Sequence, residues 1–137
     1  MSEQNKALVR RIVQECFSKG NLAAADEVLA ANYVDHNAPP GIPPGIAGFK
    51  QLVTMYRAAF PDLQVTVEDM VAEGDKVVVR WTGRGTHKGE LMGIAPTNKA
   101  VTVTGIGIDR IANGKIVEHW ESWDQMGMMQ QLGVVPS

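Results

Sequence analysis

The chain has 137 residues, of which 45% are hydrophobic and 20% are charged, and its formal net charge is −2. This length is enough to bury a real core, and we expect one domain over residues 1–137. The small net charge gives no electrostatic reason to expect nucleic acid or an anionic membrane as a partner. No apolar run approaches the roughly 20 residues of a membrane span, and the amphipathic start predicts no signal peptide. The single cysteine excludes an intrachain disulfide, and a cytoplasmic location is expected.

Apolar residues at helical spacing predict three helices in the first 60 residues. The first carries the apolar face of residues 8–17 and ends at Lys19-Gly20. The second is expected to begin with Asn21 as its cap and to extend to Leu29. Residues 32–37 then lead into a loop over 38–45, whose four prolines and two glycines forbid regular structure. A third helix follows and ends at Pro61.

From residue 63 the apolar period changes to two, which predicts consecutive antiparallel strands. The strands are expected over 63–71, 76–85, 100–111 and 115–123, and a short helix over 125–132 follows them. Asn113-Gly114 is typical of a two-residue type I′ turn between the last two strands. Helices first and antiparallel strands afterwards predict an α+β fold, with a curved antiparallel sheet wrapped around three N-terminal helices.

The turn at Asn113-Gly114 sets the predicted register of the last two strands. Residues directly opposite one another share a face, so Asp109 would lie opposite Glu118 and Gly107 opposite Trp120. Two glycines facing a large ring suggest the wall of a pocket, whose predicted face holds Val103, Gly105, Gly107, Asp109, Glu118, Trp120, Ser122 and Asp124. Trp81 and Gly83 continue this face. In this predicted register His119 points away from the pocket. A bulge in either strand would exchange the two faces beyond it.

Asp124 stands at the corner between the last strand and the last helix, flanked by Trp120, Trp123 and Met126. Apolar neighbours raise the pKa of a carboxyl group and suit it to general acid–base work. The alternative is that Asp124 caps the helix that begins after it, because aspartate is a favoured N-cap.

Several segments of the chain together resemble the SnoaL-like polyketide cyclases, also called SnoaL-like ester cyclases, of the NTF2-like superfamily. The segments are Tyr33-Val34-Asp35-His36, residues 85–97, residues 114–120, and Asp124 with Gln130-Gln131-Leu132-Gly133. The resemblance covers nearly the whole chain and implies an NTF2-like cone. It implies an intramolecular aldol condensation on a small hydrophobic, polyketide-like carbonyl compound, with no metal and no organic cofactor.

On this resemblance, Asp124 stands where the family has its acid–base aspartate, and His36 resembles the family histidine after the second helix and is expected to assist. The family also has a histidine on the strand before the last hairpin, where this chain has Asp109 and Arg110. Expected substrate contacts are Trp81, Trp120, Met55, Phe60, Met92 and Asp109.

Two other functions stay open at this point. NTF2-like cones also include non-catalytic domains that bind a small apolar ligand or dimerise. A hydrolase of epoxides or esters would use an aspartate to activate water and would need a second polar anchor near Asp124, which Asp109 beside Arg110 would supply.

The three histidines lie far apart in sequence and form no paired-ligand motif, so no metal site is expected. His87 lies on a polar, glycine-flanked loop and is expected to be exposed. His119 is expected to have a structural or interface role. An apolar stripe on the outer face of the sheet predicts a homodimer; it consists of Ile106, Ile108, Val117 and Trp123.

Overall fold

A computed structural model describes residues 2–134 of the chain. Helix α1 (Ser2–Arg11) continues into a π-helical segment (Ile12–Ser18), and the other helices are α2 (Ala23–Val28), α3 (Gly45–Ala59) and α4 (Gln125–Leu132). The strands are β1 (Leu29–Asp35), β2 (Gln64–Glu73), β3 (Lys76–Thr86), β4 (Ala100–Ala112) and β5 (Lys115–Trp123). Within the described part of the chain, no helix is both long and apolar enough to cross a membrane.

The five strands form one curved, open sheet in the order β1-β5-β4-β3-β2. β1 runs parallel to β5, and the other neighbours are antiparallel. The helices α1 and α3 and the π-helical segment pack on the concave side of this sheet. The predicted α+β fold, with a curved sheet wrapped around N-terminal helices, is therefore confirmed.

Strand β1 is the element that the periodicity did not predict. Leu29 was expected to end the second helix, and residues 32–37 to lead into a loop, but Leu29–Asp35 forms an edge strand. Its partners are distant in sequence, because Leu29 pairs with Ile116 and Asp35 with His119. Such pairing is a tertiary contact that overrides local propensity. The predicted cap Asn21 is also wrong, since α2 begins after Leu22 without a side-chain cap.

Two clusters of buried side chains hold the helices against the sheet. The larger one lies between α1, α2, α3 and the sheet, with Val9, Val28, Val53, Val77 and Ile116 among its members. The smaller one lies under α4 and the loop after β3; it consists of Ala59, Phe60, Leu91, Val101, Met128 and Leu132. Full burial of each large apolar side chain stabilises the fold by roughly 1.5–3 kcal/mol.

His87 is fully buried next to the smaller cluster, so the prediction that it is exposed is wrong. The loop folds back because the His87 N–H donates to the Lys99 carbonyl at 2.9 Å. The Thr97 N–H donates to His87 Nδ1 at 3.2 Å, and the imidazole lies 5.5 Å from the Phe60 ring.

The β4–β5 hairpin contains a bulge that decides which residues of β5 face the cavity. Ile111 pairs with Ile116 as predicted, around a turn in which Asn113 and Gly114 have φ values of 54° and 73°. A bulge follows, and Arg110 pairs with Glu118, so that Val117 is left as the extra residue. Beyond the bulge the predicted register and the predicted face of β5 are wrong, because one extra residue moves every following side chain of that strand to the opposite face. The predicted face of β4 is correct, since Val103 and Asp109 line the cavity.

Candidate functional site

The concave side of the sheet and the helices enclose a cavity of about 190 Å³. Seven aromatic residues are in its lining: Phe17, Tyr33, Phe49, Tyr56, Phe60, Trp81 and Trp123. Three carboxylates and one imidazole are also in the lining, at Asp35, Asp109, Glu121 and His119. A largely apolar cavity with a few convergent polar groups is the usual form of a site for a small molecule.

His119 lies between two carboxylates at this cavity. Its Nδ1 is 2.7 Å from Asp109 Oδ1 and its Nε2 is 3.0 Å from Glu121 Oε1. The register explains the arrangement, because Asp109 of β4 pairs with His119 of β5, and Glu121 follows on the same face. Since carboxylates only accept hydrogen bonds, an imidazole that serves both must carry a proton on each nitrogen.

The charge of His119 follows from these contacts. Burial by itself would lower the pKa of His119, but the hydrogen bonds and charges of Asp109 and Glu121 outweigh it and raise the pKa to about 10. His119 is therefore an imidazolium at neutral pH. It offsets part of the negative charge that the carboxylates bring to the cavity.

Glu121 is held by a second set of contacts. The indole Nε1 of Trp81 donates to Glu121 Oε2 at 2.9 Å, so each carboxylate oxygen has one donor. The backbone N–H of Glu121 donates to the Asn37 side-chain oxygen at 2.8 Å. A carboxylate oxygen has two lone pairs, so Glu121 keeps acceptor sites that are free to take a proton from a ligand.

Two glycines of β4 make room for these side chains. A Cβ at Gly105 would lie 2.4 Å from the Trp81 ring, and a Cβ at Gly107 would lie 2.9 Å from Glu121 Oε1. Both glycines were predicted to leave space beside an aromatic ring, which is correct for Gly105. The ring is Trp81, and the side chains opposite the two glycines are Trp123 and Glu121.

Three of the predicted site residues line the cavity, namely Trp81, Phe60 and Asp109. Met55 and Met92 are outside its lining: Met55 packs against the smaller cluster and Met92 is 45% exposed on the loop after β3.

Asp124 lies at the N-cap of α4. Its Oδ1 accepts a hydrogen bond from the Gly127 N–H at 2.9 Å, and the residue is exposed and outside the lining of the cavity. This is the position that the alternative interpretation describes. The structure does not bring Asp124 and His36 together.

His36 and Trp120 lie together on the outer side of the sheet. Their rings stack with centroids 4.8 Å apart, and His36 Nε2 is 2.7 Å from Glu118 Oε2. Arg110 donates to the other oxygen of Glu118. The bulge at Val117 sends Glu118 and Trp120 to this side and His119 and Glu121 to the cavity.

His119 and Glu121 were not predicted as site residues, although His119 lies in the family-like segment 114–120 and Glu121 directly follows it. The missing signal is the bulge, because nothing in the local pattern distinguishes Val117 as the unpaired residue. Within residues 2–134, no three His, Cys, Asp or Glu side chains are placed to hold a metal ion.

Comparison with known sequences identifies relatives over nearly the whole chain. A family model described as SnoaL-like polyketide cyclase matches residues 7–132. The chain is 31% identical over 119 residues to the nogalonic acid methyl ester cyclase of Streptomyces nogalater, covering 85% of this chain and 89% of that protein. It is 30% identical over 130 residues to the aklanonic acid methyl ester cyclase DnrD of Streptomyces peucetius, covering 92% and 88%.

Solved structures agree with this result. TsrD from Streptomyces laurentii superposes with a TM-score of 0.91 at 28% sequence identity, covering 98% of both chains. IdmH from Streptomyces antibioticus superposes with a TM-score of 0.82 at 36% identity, covering 96% of this chain and 99% of that one. The resemblance stated from short segments of the sequence is thereby confirmed.

Proposed function

Because the chain belongs to the SnoaL-like polyketide cyclase family, we propose that it closes a ring in a small, hydrophobic, polyketide-type carbonyl compound by an intramolecular aldol reaction. One observation carries this proposal. The hydrogen-bonded row Asp109–His119–Glu121 opens on a cavity that is otherwise mainly apolar. A carboxylate in such surroundings is suited to remove a proton from a carbon that is acidified by neighbouring carbonyl groups.

Glu121 is the base in this reaction. Its carboxylate takes the proton from carbon, and the electron pair of the broken C–H bond forms an enolate. The enolate carbon attacks a second carbonyl carbon of the same molecule and forms the new C–C bond. The resulting alkoxide takes the proton back from the Glu121 carboxyl group, so that protons and electrons balance. Glu121 thus takes the role that was predicted from the sequence for Asp124.

His119 and Asp109 orient the base and balance charge. The His119 imidazolium donates to Glu121, so its positive charge lies next to the base at the cavity wall. Asp109 holds the other imidazole nitrogen and is itself only 6% exposed. A fixed positive charge in a low-dielectric cavity stabilises a developing anion more than water does.

A cyclisation assay tests the proposal. Purified protein is incubated with nogalonic acid methyl ester or aklanonic acid methyl ester, and products are separated by liquid chromatography with mass detection. Aldol ring closure gives a new compound of unchanged mass, whereas hydrolysis of the methyl ester consumes water, releases methanol and leaves an acid of lower mass. Saturable binding without any new compound would identify a non-catalytic binding domain.

Three variants assign the base in the same assay. We expect Glu121→Gln to lower the turnover rate by more than about 10²-fold, since general-base contributions are typically 10²–10⁴-fold. Asp124→Asn and His36→Gln change side chains outside the lining of the cavity, and we expect them to keep at least a third of the rate. Loss of turnover in Asp124→Asn, with turnover retained in Glu121→Gln, would instead support the pair Asp124 and His36.

The predicted homodimer also stays a proposal. Ile106 is 49% exposed on the outer face, with Ile108 beside it and Trp120 opposite Ile108, whereas Trp123 turns to the cavity side. Burial of these apolar side chains between two copies would stabilise a dimer. Analytical ultracentrifugation at micromolar concentration is expected to show a dimer, and a monomer would contradict the prediction.

A further inference from the structure

The side chain of Tyr33 is buried at the cavity and has no part in the steps described so far. Tyr33 lies on β1, is 4% exposed and lines the cavity. Its ring packs edge-on against Phe49, with ring centroids 6.2 Å apart and an interplanar angle of 87°. This contact fixes the plane of the phenol within the cavity wall.

The hydroxyl of Tyr33 forms no hydrogen bond with any residue of the described chain, 2–134. The hydroxyl oxygen is not one of the fully enclosed side-chain atoms without a hydrogen-bond partner, which in the described residues are Glu15 Oε2 and His87 Nε2, so it opens to the cavity that Tyr33 lines. The hydroxyl is therefore available to an oxygen atom of a molecule bound in the cavity.

The surroundings of Tyr33 keep this hydroxyl protonated. Burial, followed by the charges of Asp35, Asp109 and Glu121, raises the pKa of Tyr33 far above its ordinary value of 10.0. The three carboxylates that oppose its ionisation line the same cavity as the phenol, and one of them is the proposed base, Glu121. A phenol in this state is a hydrogen-bond donor at every working pH.

We propose that the Tyr33 hydroxyl donates a hydrogen bond to the substrate carbonyl oxygen on which negative charge develops as Glu121 removes the proton. This inference rests on the proposed function. When the C–H bond breaks, its electron pair forms the C=C bond of the enolate, and the π electrons of the carbonyl move to the oxygen. Tyr33 keeps its proton and shares it with that oxygen. Such a bond strengthens as charge accumulates, which favours the transition state over the bound substrate.

The variant Tyr33→Phe removes the hydroxyl and keeps the ring against Phe49. The rate of deuterium uptake at the acidic carbon of a 1,3-dicarbonyl compound in D₂O, followed by NMR, reports proton removal alone. We expect kcat for uptake to fall by about 10²–10³-fold, as for the loss of one oxyanion donor, with KM changed by less than about threefold. An unchanged kcat would overturn the inference.

A second measurement uses the unaltered protein. A series of naphthols of increasing acidity, bound as naphtholates, mimics the enolate oxygen. Protein with ¹³C at the tyrosine Cζ atoms gives two signals, which Tyr56→Phe assigns. We expect naphtholate binding to shift the Tyr33 signal, and an unshifted Tyr33 signal in the saturated complex would overturn the inference.

Matched variants separate the possible failures. Thr104→Val removes a hydroxyl from an exposed position on the outer face of β4 and is expected to leave the uptake rate unchanged. If Tyr56→Phe lost the rate and Tyr33→Phe kept it, the donor would be Tyr56 and the inference would be wrong. If the unaltered protein took up no deuterium, the proposed function would fail, and the naphtholate experiment would still decide whether Tyr33 binds an anionic oxygen.

Discussion

Gly107 of β4 lies directly opposite Glu121 of β5, and a Cβ at position 107 would lie 2.9 Å from Glu121 Oε1 and 3.1 Å from His119 Cε1. The absence of a side chain at one position of the sheet thus gives the carboxylate–imidazolium contact its space. A methyl group added at position 107 would therefore press on the Glu121 carboxylate and the His119 ring.

We expect Gly107→Ala to displace the Glu121 carboxylate from His119 and to lower the rate of deuterium uptake at least about tenfold, since small misplacements of a base are costly. Overpacking typically costs about 1–3 kcal/mol of stability, so the variant should still fold. Uptake kinetics and urea unfolding measure the two effects. Ile106→Val, on the outer face next to it, is the control and should change neither; equal rates in Gly107→Ala and the unaltered protein would contradict the prediction.

Trp81→Phe tests the indole donor to Glu121. The variant keeps an aromatic ring over Gly105 but removes the N–H that lies 2.9 Å from Glu121 Oε2. Hydrogen bonds to charged groups contribute about 1.5–3 kcal/mol, so we expect a loss of stability in or below that range. The rate of deuterium uptake should fall as well, because the Glu121 carboxylate loses one of the two donors that hold it in place. A variant with both quantities unchanged would show that the indole does not hold the base.

The raised pKa of His119 predicts how stability depends on pH. The folded-state pKa of about 10 exceeds the ordinary value of 6.5. The contribution of protonated His119 to the free energy of unfolding is therefore complete below about pH 6.5 and is lost as the pH rises through about 10. Urea unfolding between pH 6 and 10 should show a loss on the order of 3–5 kcal/mol in the unaltered protein.

His119→Gln serves as the comparison, because glutamine does not titrate and its curve should be flatter. Burial also raises the pKa of Cys16 to about 11, but Cys16 is present in both proteins and its effect cancels in the difference. Parallel stability curves for the two proteins would mean that His119 is not held as an imidazolium.

The capping role of Asp124 has its own test. Asp124→Ala removes the acceptor of the Gly127 N–H, and loss of an N-cap costs about 0.5–2 kcal/mol. Asp124→Asn keeps an acceptor and should cost much less. Both variants are expected to retain the uptake rate, measured beside their thermal unfolding. Loss of uptake in Asp124→Asn at unchanged stability would return Asp124 to the role that the sequence predicted.

Most of the helices and strands could be predicted from the sequence because their signals are local. The change of period at residue 63, the Asn113-Gly114 turn and the glycine stop after the first helix depend on residues that are neighbours in the chain. The four antiparallel strands therefore agree with the structure to within two residues at each end, and β5 and α4 agree in full. The edge strand β1 was missed because its hydrogen-bonding partner, β5, lies more than 80 residues away in sequence.

The sequence by itself determined the α+β class, the order of most elements, the family and three lining residues of the cavity: Trp81, Phe60 and Asp109. Only the tertiary structure decided which side of β5 faces the cavity. The side-chain period of a strand is two residues, so the single unpaired residue at Val117 exchanges Glu118 and Trp120 for His119 and Glu121. A bulge is chosen by the packing of the whole sheet against the helices, and that balance is not written in the pattern of any one segment.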